Sequence, residues 1–146
     1  MAKNGGVICI NFYSGFISNA YDEKQKAMNG WEKDSAFAIM LPRYNGDSAK
    51  VKAVWQKVYD SAMNAVRPSL GQLVDHIDYI VKLVGDDYVG IGSDYDGVGS
   101  VPVEMDDVTT YPKITEELVR RGYSKKSVRK ILGGNVLRVM KANFLK

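Results

Sequence analysis

The clearest pattern in this sequence lies in Tyr88-Val-Gly-Ile-Gly-Ser-Asp-Tyr-Asp-Gly97. Val89 and Ile91 are β-branched and favour a short buried strand, and glycines inside a strand indicate that something approaches the backbone closely. Asp94 ends the strand, and a glycine-rich loop follows it. Parallel α/β proteins place catalytic groups in this way, at the carboxyl ends of their strands. A simple turn, in which Asp and Gly are also favoured, is the alternative.

The composition limits the classes of protein to which this chain can belong. The chain has 146 residues, of which 45% are hydrophobic and 25% charged, as is ordinary for one globular domain. No stretch approaches the roughly 18 consecutive apolar residues of a membrane-spanning helix. Cys9 is the only cysteine, which excludes an internal disulfide and a cysteine zinc site. Because Cys9 lies in an apolar run, we expect its thiol to be buried and inert.

Positive charge is concentrated at the C-terminal end. Residues 120–146 contain nine Lys and Arg and no acidic residue, whereas the preceding 119 residues carry 11 basic and 17 acidic ones, a net charge of −6. A basic end can bind nucleic acid or another anion, but solvated helix faces carry the same charges. Only Tyr123 and Phe144 are available there to stack on bases, so we predict no nucleic-acid partner.

Periodicity and turn residues predict the order of the secondary-structure elements. The predicted elements are the last turn of a helix at Ala2–Gly5, a strand at Val7–Phe12, a long loop with some helix at Ser14–Gly46, helices at Ser48–Val66 and from Ser69 to Gly85, a strand at Tyr88–Ser93, helices at Pro112–Arg121 and from Ser124 to Leu132, and a last helix capped by Asn135 with Val136, Leu137, Met140 and Phe144 inward.

This alternation of strand, helices, strand and helices is that of a βαβ unit, and the fold class is α/β. A parallel sheet needs more than two strands and cover on both faces. The chain supplies a third strand only if Ala36–Leu41 is extended. A sheet of only two parallel strands would leave both of its edges exposed. We therefore expect residues 1–146 to be a single segment, the C-terminal piece of a larger barrel or sheet protein.

Four motifs resemble those of the renal, or membrane, dipeptidases in order and spacing. They are Asn11-Phe-Tyr-Ser-Gly-Phe-Ile-Ser18, Val74-Asp-His-Ile-Asp78, Gly90-Ile-Gly-Ser-Asp-Tyr-Asp-Gly97 and Ile131-Leu-Gly-Gly-Asn-Val-Leu-Arg-Val139. The resemblance covers almost the whole chain apart from about Tyr21 to Ser48. It implies the C-terminal portion of a TIM-type (β/α)8 barrel, incomplete in this chain.

The resemblance also implies a reaction. The family consists of zinc-dependent dipeptidases, metal-dependent hydrolases in which metal-activated water cleaves the peptide bond of a dipeptide. Their two zinc ions are held by a His-x-Asp pair, a Glu and two later histidines, and these ligands are absent from this chain. The segment is therefore expected to be inactive alone. Its expected partners are a dipeptide substrate, the rest of the barrel and a second copy in a homodimer.

The same resemblance assigns candidate site residues. Asp94 matches a catalytic aspartate that faces the substrate amino group and the bridging water, so it is both the catalytic and a substrate-binding candidate. Phe16 matches an aromatic position near the substrate side chain, and Tyr13 and Asn11 are expected to line the same pocket. No residue is assigned as a metal ligand, and His76, the one histidine, is expected to be structural.

Two other functions stay open on the sequence. The chain is a candidate for a non-catalytic truncated product or pseudoenzyme, because the zinc ligands have no counterpart in it. It is also a candidate for an anion-binding module that uses the basic C-terminal helices.

Overall fold

A computed structural model describes residues 1–32 and 36–144, which form two compact units. One unit contains Met1–Ile17 together with the described residues from Pro68 onward, and the other contains the described residues of Ser18–Arg67. The described residues are mostly helical and include a two-stranded sheet, which confirms the α/β class. That residues 1–146 are a single segment stays a prediction.

The two strands are parallel, and their last residues lie opposite each other at the same edge of the sheet. Strand β1 (Ile8–Asn11) pairs with β2 (Val89–Ser93), with Ile10 opposite Ile91 and Asn11 opposite Ser93. An irregularity in the register falls between Ile10 and Asn11. Because parallel strands need a crossover connection, the chain runs from β1 through several helices to β2, as the βαβ pattern predicts.

The remaining elements of the described residues are helical. They are α1 (Ser14–Ile17), α2 (Asn19–Glu32), α3 (Ala36–Met40), α4 (Ser48–Asn64), α5 (Leu70–Val84), α6 (Tyr111–Arg120), α7 (Lys125–Arg129) and α8 (Asn135–Phe144), with 3-10 turns at Ala2–Asn4, Leu41–Tyr44 and Val108–Thr110 and a π-helical turn at Lys130–Gly134. None of the helices described is long and apolar enough to cross a membrane.

The structure confirms the predicted starts of the helices whose capping residues are clear in the sequence. Ser69 accepts a hydrogen bond from the backbone N of Gln72, whose side chain accepts one from the Ser69 backbone N in return. This capping box satisfies two amides that the first helical turn leaves without a partner. Ser124 caps α7 in the same way through the backbone N of Ser127.

The hydrophobic core of the first unit lies where α5 and α6 pack with the strands. Its fully buried side chains include Phe12, Leu73, Val74, Ile77, Val89, Met105, Ile114, Leu118 and Ile131. The apolar stripe of α5 thus points inward, as its helical spacing predicts. Burial of these side chains holds the carboxyl ends of β1 and β2 in place.

Two expectations for the first half of the chain, the long loop and the buried Cys9, are wrong, and the conditional third strand does not form. The long loop expected at Ser14–Gly46 is largely helical in its described residues, because Ala, Lys, Glu and Gln favour a helix even without a clear apolar stripe. Ala36–Leu41 is not extended but forms α3 and the start of a 3-10 turn. Cys9 is exposed rather than buried, since alternate strand residues face opposite sides of the sheet.

Asn135 does not cap α8, contrary to the sequence prediction. Its backbone is already helical, and its buried side-chain amide donates to the carbonyl oxygens of Asp86 at 2.7 Å and Val89 at 2.8 Å. These bonds hold the first turn of α8 beside the start of β2. Leu137, Met140 and Phe144, which the sequence predicts to point inward, are exposed in the structure.

A charged network joins α5 to the end of α6. The Arg121 guanidinium donates to Asp75 and Asp78 on α5, both at 2.6 Å, and to Glu117 on α6 at 2.7 Å. It also donates to the Gly71 carbonyl at 2.7 Å. One cation therefore pairs with three carboxylates at a helix–helix contact, and only 17% of its side chain is exposed.

Candidate functional site

Asn11 and Asp94 meet at the carboxyl ends of the two strands. The Asn11 side-chain amide donates from Nδ2 to Oδ2 of Asp94 at 2.9 Å. The other end of the same amide, Oδ1, accepts a hydrogen bond from the Tyr13 backbone N at 2.7 Å. Asn11 is therefore held at both ends and fixes one carboxylate oxygen, while Asp94 Oδ1 has no hydrogen-bond partner among the described residues.

The backbone at this strand end has an unusual conformation. Ser93 has φ 49° and Asp94 has φ 73°, so two consecutive residues other than glycine lie in the left-handed region. Such residues cost about 1–3 kcal/mol each and are concentrated at functional sites. The strain turns the chain sharply after β2 and leaves the Asp94 side chain exposed. It therefore supports a functional role for this turn.

Two aromatic rings lie on the segment just after β1. Tyr13 and Phe16 contact edge to face, with ring centroids 5.0 Å apart. Phe16 is 70% exposed, although a large aromatic side chain is ordinarily stabilised by burial. An exposed ring held by a second ring offers an apolar surface to a ligand. The structure thus links Asn11 to both Asp94 and Tyr13, and Tyr13 to Phe16.

Further contacts hold the loops after the two strands together. Buried Ser14 donates from its backbone N to the Ser100 carbonyl at 3.0 Å, and the two hydroxyl groups lie 2.9 Å apart. Tyr95 donates to the Asp107 carbonyl at 3.0 Å, and its ring packs edge to face on Phe12. Burial raises the pKa of Tyr95, which keeps its hydroxyl protonated as a donor.

Gly97 packs directly against the Asp94 carboxylate. The backbone N of Gly97 donates to the Asp94 carbonyl at 3.0 Å, which closes the turn. A Cβ atom at Gly97 would contact the Asp94 carboxylate below any normal separation. The absence of a side chain here leaves room for the carboxylate in its observed position.

Gly97→Ala is therefore expected to displace the Asp94 carboxylate while changing the free energy of unfolding by less than about 1 kcal/mol, because the clash is with the movable end of a side chain. For the dipeptide hydrolysis that the family resemblance implies, we expect kcat/KM to fall by about tenfold or more, since a small misplacement of a reacting group is costly. Urea unfolding and a dipeptide hydrolysis assay measure the two effects.

Gly99→Ala is the matched control, because a Cβ atom there would meet no atom within 4 Å. It should leave both activity and stability near the wild-type values. Equal activity in the two variants would show that the position of the Asp94 carboxylate does not matter.

The other polar residues singled out in the sequence have plainer surroundings. His76 Nε2 lies 3.1 Å from the Ile17 carbonyl oxygen, which agrees with the structural role expected for it. Among residues 1–32 and 36–144, no group of three or more His, Cys, Asp or Glu side chains is arranged to hold a metal ion. These residues do not by themselves form a zinc site.

The sequence pattern did not reveal which contacts position Asp94. Asn11 was expected to line the pocket, but its bond to Asp94 joins residues 83 positions apart. For Gly97, the sequence predicts only that it belongs to a glycine-rich loop. The one available signal was the spacing Asp94-x-Asp96-Gly97, which is also typical of ordinary turns.

The chain matches a known family model over residues 1–145, described as membrane dipeptidase (Peptidase family M19). It is 50% identical over 70 residues to Dipeptidase ataJ of Aspergillus terreus, a match that covers 48% of this chain and 17% of that protein. It is 41% identical over 73 residues to Dipeptidase 3 of Rattus norvegicus, covering 50% of this chain and 15% of that protein. The matches thus span less than a fifth of these relatives.

The fold is similar to a solved structure, the crystal structure of the probable dipeptidase PvdM from Pseudomonas aeruginosa. The TM-score is 0.60 at 32% sequence identity, and the similarity covers 94% of this chain and 37% of that one. Both units of the described chain therefore correspond to parts of a larger protein.

Proposed function

Because this chain belongs to the membrane dipeptidase family, we propose that it is the C-terminal part of a zinc-dependent dipeptidase and contributes Asp94 to the active site. The family match confirms the resemblance seen in the sequence. The proposed fold of the complete enzyme is a TIM-type barrel, of which β1 and β2 are two neighbouring strands.

The observation that carries this proposal is the Asn11–Asp94 pair at the level carboxyl ends of two parallel strands. Active sites of parallel α/β proteins lie at this edge. The strained backbone at Ser93 and Asp94 and the close packing of Gly97 support the same location.

The proposed role of Asp94 is to bind the substrate amino group and to move a proton. An ionised carboxylate forms a charge-assisted hydrogen bond with the ammonium group of a dipeptide. It can also accept a proton from the attacking water and deliver it to the nitrogen of the leaving amine as the carbon–nitrogen bond breaks. Asn11 would orient the carboxylate for both steps by holding Oδ2 and leaving Oδ1 available.

The proposed role of Phe16 is to contact the substrate side chain, with Tyr13 holding its ring. Zinc in such enzymes activates the attacking water. The described residues give the two zinc ions no set of ligands, so the proposal assigns the metals to residues outside them. The segment is accordingly proposed to be inactive alone.

Metal analysis combined with hydrolysis of a simple dipeptide such as glycyl-leucine tests the proposal. It should be run on the 146-residue chain and on a version extended upstream. We expect the extended version to bind zinc and to release free amino acids, and the 146-residue chain to do neither. An extended version that binds zinc without cleaving any dipeptide would contradict the proposed activity, and hydrolysis by the 146-residue chain would contradict its proposed inactivity.

A further inference from the structure

A basic cavity lies beside α7 and the first turn of α8. It has a volume of about 560 Å³ and is lined by Lys125, Lys126, Arg129, Lys130 and Arg138, with Asp87 as its acidic residue. This volume is in the usual range for small-molecule sites. The lining has a large excess of positive charge, so a ligand that fits it would be an anion.

Two of the cations are already held by contacts within the protein. Lys130 forms ion pairs with Asp86 at 2.9 Å and Asp87 at 2.7 Å. Arg138 donates to the carbonyl oxygens of Gly5 at 2.6 Å and Asp87 at 2.7 Å. These two residues form a wall of the cavity that contacts within the protein hold in place, and Lys130 pairs there with Asp87.

The other three cations have no ion-pair partner in the part of the chain that the structure describes. Lys125, Lys126 and Arg129 are exposed, and none of them lies within salt-bridge distance of a described carboxylate. Lys125 and Arg129 are four residues apart on a helix, a spacing at which like charges repel each other. An anion that bridges these cations would relieve the repulsion.

The basic cavity lies near the amino end of β2. Asp86 and Asp87 come just before this strand, and Asn135 in the cavity wall donates to the Val89 carbonyl at its first residue. Asp94 follows the last residue of the same strand. The cavity and the candidate active site are therefore at opposite ends of β2, and the cavity does not belong to the dipeptide site.

We propose that the basic cavity is a binding site for a small polyanion that carries neighbouring phosphate groups, such as a diphosphate. The three cations without an ion-pair partner among the described residues are a better match for an anion with several charges than for a single carboxylate. The planar guanidinium of Arg129 can bind two phosphate oxygens at once, and lysine ammonium groups are frequent phosphate ligands. This site goes beyond the proposed dipeptidase activity and does not depend on it.

A small anion fits these observations better than a nucleic acid. The five basic side chains line one open pocket, which is a smaller target than the stripe of charge that follows a phosphate backbone. The aromatic ring near the site, Tyr88, is covered by the Arg138 guanidinium at 5.9 Å from its centroid, so it is not available to stack on a base.

Titration calorimetry of the 146-residue chain with sodium pyrophosphate tests the site. We expect saturable binding that weakens as salt is added. The variant Lys125→Gln/Lys126→Gln/Arg129→Gln should bind about tenfold or more weakly, because three charge-assisted contacts are lost. None of these side chains has an ion-pair partner among the residues that the structure describes, so circular dichroism and the urea midpoint should change little. The single variant Arg129→Lys should lose less than the triple variant.

The matched control is Lys24→Gln/Lys52→Gln/Lys57→Gln, which removes the same charge from exposed positions of the other unit. It should bind pyrophosphate as the wild type does. Any one of three results would overturn the proposal. The first is no binding of pyrophosphate, and the second is an equal loss of binding in both triple variants. The third is tighter binding of duplex DNA or of phosphatidylglycerol vesicles than of pyrophosphate.

Discussion

Asp94→Asn is expected to lower kcat/KM for the proposed dipeptide hydrolysis by about a thousandfold, as for a group that transfers a proton in the transition state. Asparagine has nearly the same shape but carries no charge, so it can neither pair with the substrate ammonium nor accept a proton. The measurement is steady-state hydrolysis of a dipeptide by wild type and variant.

The same substitution should change the free energy of unfolding by less than about 1 kcal/mol. Asparagine adopts positive φ more readily than most residues, so it tolerates the left-handed backbone of Asp94. The side chain is exposed, and its one described bond is to the Asn11 amide. Urea unfolding measures this effect separately from activity.

Asp96→Asn is the control for Asp94→Asn, because Asp96 is an exposed acid on the same loop and the charge change is identical. It should keep most of the activity. A thousandfold loss in both variants would point to the charge of the loop, and a loss of stability in Asp94→Asn with full activity would show that this carboxylate is only structural.

Arg121→Ala is expected to destabilise the 146-residue chain by about 2 kcal/mol, between the values for an exposed and for a buried ion pair, because the network is partly buried. The substitution leaves Asp75, Asp78 and Glu117 without their common cation. Glu117 is only 11% exposed, and the Gly71 carbonyl loses its donor as well. Urea unfolding at neutral pH measures the change in the free energy of unfolding.

Arg120→Ala provides a neighbouring comparison, since Arg120 is 71% exposed and Glu117 is its one ion-pair partner among the described residues. An exposed ion pair of this kind contributes at most about 1 kcal/mol. If the two alanine variants are equally stable, the network around Arg121 does not hold α5 and α6 together.

The pH dependence of stability gives a second test of this network. Hydrogen bonds from Arg120 and then Arg121 lower the pKa of Glu117 from 4.5 to about 2. A lowered pKa in the folded state adds stability above the unfolded pKa, and this stability is lost as pH falls toward the folded pKa. The wild type should therefore lose stability between about pH 5 and pH 2, and Arg121→Ala should show a flatter profile.

The elements that the sequence predicts well are those with strong local signals. The strand Val89–Ser93 and the helix that starts at Ser69 are defined by β-branched residues, a capping box and apolar spacing. The helix Asn19–Glu32 lacks such a stripe, and the sequence predicts only a long loop with some helix there. Gly133-Gly134-Asn135 resembles a helix start, and the acceptors that hold Asn135 inside a helix lie more than 40 positions earlier.

The candidate site shows the same limit. Asp94 can be identified as a candidate site residue because the sequence predicts the strand before it. The family resemblance adds Phe16, Tyr13 and Asn11 as further candidates. The hydrogen bond between Asn11 and Asp94, however, depends on which strands pair and in which register. Pairing over such a distance is decided by packing of the whole unit and leaves no trace in local composition.

The long separation of β1 and β2 also bears on how this protein tolerates insertions and deletions. Asn11 and Asp94 are 83 positions apart, and the entropy of closing a flexible loop grows only with the logarithm of its length. Doubling a flexible turn within that span would change the closure free energy by only about 0.6 kcal/mol, whereas removal of α5 would take core side chains such as Leu73 and Ile77 with it. Evolution can therefore vary the turns between the strands at low cost, but a shift of one residue in the strand alignment would separate Asn11 from Asp94.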